Sequence, residues 1–227
     1  SVCIEMYVFA PDEFGRRIRA ILLDKLAKGV KVALVYDWLG SLNAHVRGFF
    51  KPLIEAGAEV RPYNPPAWTA GIGLFSRNHR KSLIIDEHTA FVSGLCISAA
   101  WNGKPAKGIE AWRDTGLALQ GPIVQDVLAA FEDTLISQGG TMPPLKRYEN
   151  EDAMPAGSTR ARVLATTPAN INTMRLDLNI IGLATQNLWI TDAYFMPTRM
   201  YVQALINAAK AGVDVRSSVP RTSDIRW

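Results

Sequence analysis

The sequence predicts an α/β protein, a mixed β-sheet sandwiched by helices, followed by the start of a second sheet of the same kind. Three observations carry this. Strand-length apolar runs alternate with segments that are apolar at helical spacing; glycines stop the helices just before the next strand; and a Gly/Pro-rich charged stretch interrupts the alternation, which then restarts. The 227 residues, 48% hydrophobic and 20% charged, exclude a disordered or fibrous chain. No apolar run approaches the roughly 18 residues of a membrane span.

Each element follows from local chemistry. Cys3 to Phe9 reads as a buried strand, and Ile18, Ile21, Leu22 and Leu26 mark a helix that Gly29 ends. Val30 to Tyr36 is a second buried strand, followed by a helix from Leu42 to Ala56, a strand at Ala58 to Arg61 and a Pro-rich loop from Pro62 to Ser76. Strands Ser82 to Ile85 and Thr89 to Ser93 flank Asp86, Glu87 and His88, so a tight hairpin is expected there. Thr115 to Leu119 is a further strand, and Pro122 opens a helix with Val124, Leu128, Phe131 and Leu135 on one face.

Residues 1–138 therefore form a first lobe and 139–159 a linker, rich in Gly and Pro and carrying the cluster Lys146, Arg147, Glu149, Glu151 and Asp152. Residues 160–227 begin a second lobe: strand Arg162 to Ala165, helix Ile171 to Ala184, strand Leu188 to Thr191, a helix bearing Val202, Leu205, Ile206 and Ala209, and strand Val213 to Val215. The restart reads as a repeat, because Tyr7-Val8-Phe9-Ala10-Pro11 and the helix stopped at Gly29 match Tyr194-Phe195-Met196-Pro197 and the helix stopped at Gly212. The chain opens on an apolar run without a starting Met, which leads us to expect a piece of something longer.

Twenty-five Lys and Arg against 21 acids give a net charge of +4, a mild bias that suits phosphate-bearing partners. Cys3 and Cys96 lie in apolar runs without Cys or His companions, so buried free thiols and a reducing compartment are expected. His45, His79 and His88 are the only histidines; His45 has no catalytic companions on its helix, and His88 sits in the hairpin turn.

The sharpest polar-to-apolar switch is Arg77-Asn78-His79-Arg80-Lys81-Ser82, leading to Asp86. On an extended chain His79 and Lys81 share a face, so an imidazole and an ammonium converge. Such a pair can handle a phosphodiester, the imidazole attacking phosphorus while the ammonium holds the charged oxygens. Asp86 lies at an odd offset from both, which assigns it to the turn's backbone amides. Arg77, Arg80, Lys104 and Lys107 offer a basic rim for a lipid headgroup or a nucleic-acid phosphate, and the apolar residues between Asn64 and Phe75 offer either a lip for acyl chains or core.

The spacing His79-x-Lys81-x4-Asp86, with Ser93-Gly94-Leu95-Cys96 after it, resembles the HKD motif of the phospholipase D superfamily. Tyr36-Asp37, Asn64-Pro65, Trp112-Arg113-Asp114-Thr115 and Asp192-Ala193-Tyr194-Phe195-Met196-Pro197 are similar to the bacterial cardiolipin synthase branch. The resemblance implies a phospholipase D-like lobe followed by an incomplete second one, in an enzyme where one histidine is phosphorylated and another protonates the leaving alcohol, without metal or cofactor. It implies catalytic roles for His79, Lys81 and Asp86, a histidine-orienting carboxylate at Asp114 or else Glu110, and phosphate contacts near Ser93. Cys96 stands where the family places an Asn, and Asn102 is a nearby substitute.

The partners implied are a phospholipid, a membrane surface on the cytoplasmic face of a bacterial inner membrane, and a second half from the missing C-terminal region or another chain. Two rival readings keep the fold. One is a nuclease of the same superfamily, disfavoured because a linker and a second β/α copy follow; the other is a non-catalytic phosphate-binding half-enzyme.

Overall fold

The computed structural model describes residues 1–66, 76–145, 156–167 and 170–221. It divides into two units, Ser1–Val163 and Leu164–Trp227. The first is built on a six-stranded mixed sheet. Strands β1 (Val2–Met6), β2 (Val32–Asp37) and β3 (Glu59–Tyr63) run parallel; β4 (Ser82–Ile85), β5 (Thr89–Ser93) and β6 (Gly116–Gln120) continue the sheet antiparallel beyond β1, in the order β3-β2-β1-β4-β5-β6.

Helices cover both faces of the central strands, so β2 (Val-Ala-Leu-Val-Tyr-Asp) is buried along its whole length. Alternation assigns each residue to a face. Ile4, Met6, Leu34 and Tyr36 pack with Phe9, Leu22, Phe49, Phe50 and Leu53 under α1 (Glu13–Ala27), α2 (Leu42–Val46) and α3 (Lys51–Glu55). Cys3, Val35, Ile84 and Ala90 pack on the other face against Val124, Leu128, Phe131 and Leu135 of α4 (Ile123–Ser137). Each large side chain enclosed this way contributes roughly 1.5–3 kcal/mol. Both cysteines are free and buried.

Asp12 starts α1, accepting from the Gly15 amide at 2.9 Å, and its second oxygen accepts from Ser98 Oγ (2.9 Å) and the Ala99 amide (2.7 Å). One side chain thus caps a helix and pins the loop that follows β5.

The structure differs from the sequence expectations at three places. The single helix expected from Leu42 to Ala56 is two, because Gly48 takes a positive φ of 62° between α2 and α3. Arg162 to Ala165 is not a strand, and Val163 packs on the first unit's α4 face instead. The division falls after Val163, since Met142 and Leu145, from within the expected linker, also join that core. Most of the apolar segment ending at Phe75, and the charge cluster from Lys146 to Asp152, lie outside the described residues.

The second unit holds α5 (Asn172–Leu183), β7 (Asn187–Thr191), α6 (Arg199–Lys210) and β8 (Asp214–Ser218), with β7 and β8 parallel. Ile181, Ala208 and Val213 form its core with Leu188, Leu205 and Val215. No helix among the described residues is long and apolar enough to cross a membrane.

Candidate active site

Parallel strands β1 and β2 end at one edge of the sheet, where ligand sites of open α/β folds gather. Tyr7 and Asp37 stand there. Because β4 runs antiparallel to β1, with Ser82 opposite Glu5, the residues just before β4 pass beside those just after β1. The sequence stretch from Arg77 to Lys81 is therefore delivered to the same edge.

Two buried carboxylates fix its path. Asp37, fully enclosed, accepts from the amides of Leu39 (3.0 Å), Gly40 (2.9 Å) and Asn78 (2.9 Å), and Arg77 Nη1 lies 3.4 Å away. Glu5 accepts from Asn78 Nδ2 at 2.7 Å and faces Arg80 Nη1 at 3.6 Å. Burial pushes the Glu5 carboxyl above its usual range, against the pull of Arg80 and of hydrogen bonds from Asn78 and Thr134. Asn78 and Arg80 turn toward one face of the chain, leaving His79 and Lys81 on the other.

Both site residues lie against Tyr7. The His79 ring centroid is 4.5 Å from that of Tyr7, and Lys81 Nζ is 5.1 Å from it. His79 remains exposed, whereas Lys81 is buried and donates to the His79 carbonyl at 2.6 Å. Partial desolvation, then the Lys81 charge, hold the imidazole pKa below its ordinary value, with Asp37 opposing. Burial also lowers the Lys81 pKa, opposed by Cys96, Asp114 and Asp37. The result is a neutral imidazole beside a partly dehydrated cation, the pairing that nucleophilic attack on a phosphodiester needs.

Asp114 is brought into the field of Lys81. Its Oδ1 accepts from the Thr115 amide at 2.9 Å, and its carboxylate lies so close over Gly94 that a Cβ there would meet Oδ1 at 2.1 Å. Gly94 is thus the space the carboxylate occupies. Ser93 anchors the same bend, its amide donating to the Lys81 carbonyl at 3.2 Å and its Oγ accepting from Leu95 at 3.2 Å. Cys96 is buried beside them, burial raising its thiol pKa and the nearby Lys81 drawing it down.

Other expected residues stand elsewhere. Arg77 lies at the rim, its guanidinium 5.5 Å over Trp38. Arg80 faces Glu5 and donates to the Ala130 carbonyl (3.1 Å) and Thr134 Oγ1 (2.9 Å) of α4, because its backbone position points it away from Lys81. Asp86 stands at the other end of β4. It follows β4 where His79 precedes it, an extended separation of roughly 20 Å, and its carboxylate is exposed. Asp86 and Glu87 shape the turn through positive φ values of 51° and 52°. Asn102 ends the short 3-10 turn Ala99–Asn102, exposed and without a side-chain hydrogen bond among the described residues; Glu110 is exposed, its backbone packed on Gly103. His45 Nδ1 is 2.8 Å from the Tyr36 hydroxyl, and His88 Nδ1 is 3.1 Å from Thr89 Oγ1.

Sequence reasoning missed Tyr7, Glu5 and Asp37 as parts of this site. The signal available was their position at the carboxyl ends of the first two parallel strands.

A histidine and a buried lysine thus share one aromatic platform, with a carboxylate over a glycine at the next bend, on an α/β lobe. A family model described as cardiolipin synthase, PLD-like domain, matches residues 1–104. Cardiolipin synthase A of Pseudomonas fluorescens is 32% identical over 229 residues, covering 100% of this chain and 47% of the relative. A probable cardiolipin synthase of Bacillus subtilis is 33% identical over 235 residues, covering 97% and 44%. The phosphatidylserine synthase structure from Haemophilus influenzae superposes with a TM-score of 0.64 at 15% identity, over 96% of this chain and 56% of that one, which shows a shared fold. The chain belongs to the phospholipase D superfamily, in its cardiolipin synthase-like branch. It spans about half the length of the curated relatives it matches.

Proposed function

We propose that the chain carries the nucleophile-bearing lobe of a phosphatidyltransferase or phospholipase D-type enzyme acting on phospholipid phosphodiesters. The observation that carries this is the shared seating of His79 and Lys81 on Tyr7 at the carboxyl edge of β1 and β2. A neutral His79 nitrogen forms a bond to phosphorus as the bond to the leaving alcohol oxygen breaks and its electrons depart with that oxygen. Lys81 neutralises the non-bridging oxygens, and Asp114 offsets the positive charge of this centre. An alcohol or water then attacks phosphorus and returns the electron pair to nitrogen. A phospholipid is supported as substrate by the names of the relatives, cardiolipin synthases and a phosphatidylserine synthase.

The leaving alkoxide needs a proton. His45 is engaged with Tyr36 and His88 belongs to the hairpin turn at the opposite end of β4, so the acid comes from a second half, downstream or on another chain. Peripheral association with the cytoplasmic face of a bacterial inner membrane fits this substrate.

The test combines this chain with the downstream half of the protein and a water-soluble short-chain phosphatidylglycerol. After an alkaline quench, mass spectrometry should find phosphorus on His79, and His79→Ala should lower turnover by several orders of magnitude while the fold is retained. Near-normal turnover by His79→Ala, or phosphorus on another residue, would overturn the assignment.

A further inference from the structure

From Trp38 to Ile54 the chain contains no acidic residue and includes Arg47 and Lys51; Asp37 before it is fully buried, and Glu55, which ends α3, pairs with Lys51 at 3.6 Å. Leu39, Leu42 and Val46 follow one another at steps of three and four, so they form one stripe across the turn and α2. That stripe faces outward: the three residues are 47%, 41% and 69% exposed, whereas Ala44 on the opposite side is fully buried. The orientation is built in. Ser41 Oγ donates to the Tyr7 carbonyl at 3.1 Å and accepts from the Phe9 amide at 2.9 Å, which fixes the start of α2 and leaves its apolar stripe no inward position.

The stripe borders the site. Leu39 follows Trp38, whose ring lies under the Arg77 guanidinium, and Arg77 is two residues from His79. Three side chains, one on the turn and two on a five-residue helix, offer far less area than the roughly 1,000 Å² that a stable protein interface needs. The exposed Arg47 cation directly after Val46, with no acidic residue between Trp38 and Ile54, complements a negatively charged surface.

We propose that Leu39, Leu42 and Val46, flanked by Arg47, are the contact by which this lobe docks on an anionic phospholipid bilayer, bringing the His79 edge of the sheet to the headgroups. The proposal deepens the lipid reading above and rests on it for the choice of partner. Apolar tips enter the acyl boundary while the guanidinium meets phosphate, the arrangement of interfacial amphipathic segments.

The test is co-sedimentation of the 227-residue chain with vesicles of phosphatidylglycerol and phosphatidylcholine, and with phosphatidylcholine alone. The chain should bind the anionic vesicles preferentially. The triple variant Leu39→Ser, Leu42→Ser, Val46→Ser should lose roughly tenfold or more in binding with its circular dichroism unchanged, since all three side chains are already exposed. Arg47→Glu should lose several-fold, and the remaining binding should depend less on salt. Triple-variant binding equal to that of the parent would overturn the proposal. So would parent self-association in sedimentation velocity that the triple variant abolishes without loss of vesicle binding, because a second copy would then own the stripe. No turnover enters these measurements, so absence of phosphorus on His79 with stripe-dependent vesicle binding would sink the catalytic reading alone.

Discussion

The units β1–α1–β2 and β7–α6–β8 are the same construction made twice: a strand, a helix stopped at a glycine with positive φ (82° at Gly29, 93° at Gly212), and a second strand parallel to the first. Their surroundings differ. Every residue of β2 is buried, while along β8 only Val215 escapes full exposure. The first copy has β3 and β4 beside it and helices on both faces, so its strand ends can hold carboxylates as buried as Glu5 and Asp37. Local sequence is enough to build the unit, but only enclosure by neighbours turns its carboxyl edge into a site.

That contrast can be broken most forcefully in the core. Phe9 and Met196 hold matching places in the two copies, the first fully buried and the second 72% exposed. Phe9→Ala should cost about 3–5 kcal/mol and Met196→Ala no more than about 0.5 kcal/mol in urea denaturation. Equal costs would mean that the two copies are equally enclosed.

Buried charge gives the next largest effect. Glu5 holds its proton more tightly folded than unfolded, so the folded state loses stability as pH rises from the ordinary carboxylate value through the raised one. Glu5→Gln should remove that slope from a series of thermal melts. Arg80→Ala should extend it to higher pH and cost about 2 kcal/mol, because the carboxylate keeps its burial and loses its cation.

The helix caps sharpen the comparison on a smaller scale. Asp12 serves α1 and the loop after β5, whereas the Thr198 hydroxyl accepts from the Tyr201 amide of its own helix at 3.4 Å. Asp12→Ala should cost about 1–2 kcal/mol and Thr198→Ala at most about half of that, by denaturant midpoint. Desolvation raises the Asp12 pKa, but bonds from Gly15, Ala99, Ser98 and Phe14 outweigh it and leave it lowered. Its contribution is therefore complete above the ordinary aspartate value and is lost as pH falls through the lowered one, a dependence absent from Asp12→Asn. The smallest stability change belongs to Gly94→Ala, which should melt within about 1 kcal/mol of the parent yet show the turnover of Asp114→Ala, since the new Cβ claims the space of the carboxylate.

The sequence was most legible where the signal is local. β4 and β5 lie where alternation and the turn residues put them, and α1, α4, α5 and α6 follow their apolar stripes. The break between α2 and α3 was hidden because the apolar spacing runs on through Gly48, and only the backbone shows the change of hand. Arg162 to Ala165 has the composition of a strand, but nothing in composition says that Val163 is claimed by the first unit. In the site, His79 and Lys81 could be paired by parity alone. Arg80 could not be placed, since its partners Glu5 and Thr134 are remote in sequence and meet it only through the packing of β1, β4 and α4. Tyr7 is a matter of register: it touches His79 because Ser82 pairs with Glu5 rather than with a neighbour.

The Asp86–Glu87 turn acts as a ruler for the whole motif. Two consecutive residues of left-handed backbone close the hairpin so that Ser82 faces Val92, and the next step seats the Ser93 amide on the Lys81 carbonyl. The histidine end and the Gly94 end of the motif are therefore side by side because of a turn at the far end of both strands. Inserting one residue there would invert every side chain of β5 relative to β4 and carry Gly94 out from beneath Asp114. The spacing from His79 to Gly94 is thus a length standard read out at the catalytic edge but calibrated at the opposite one.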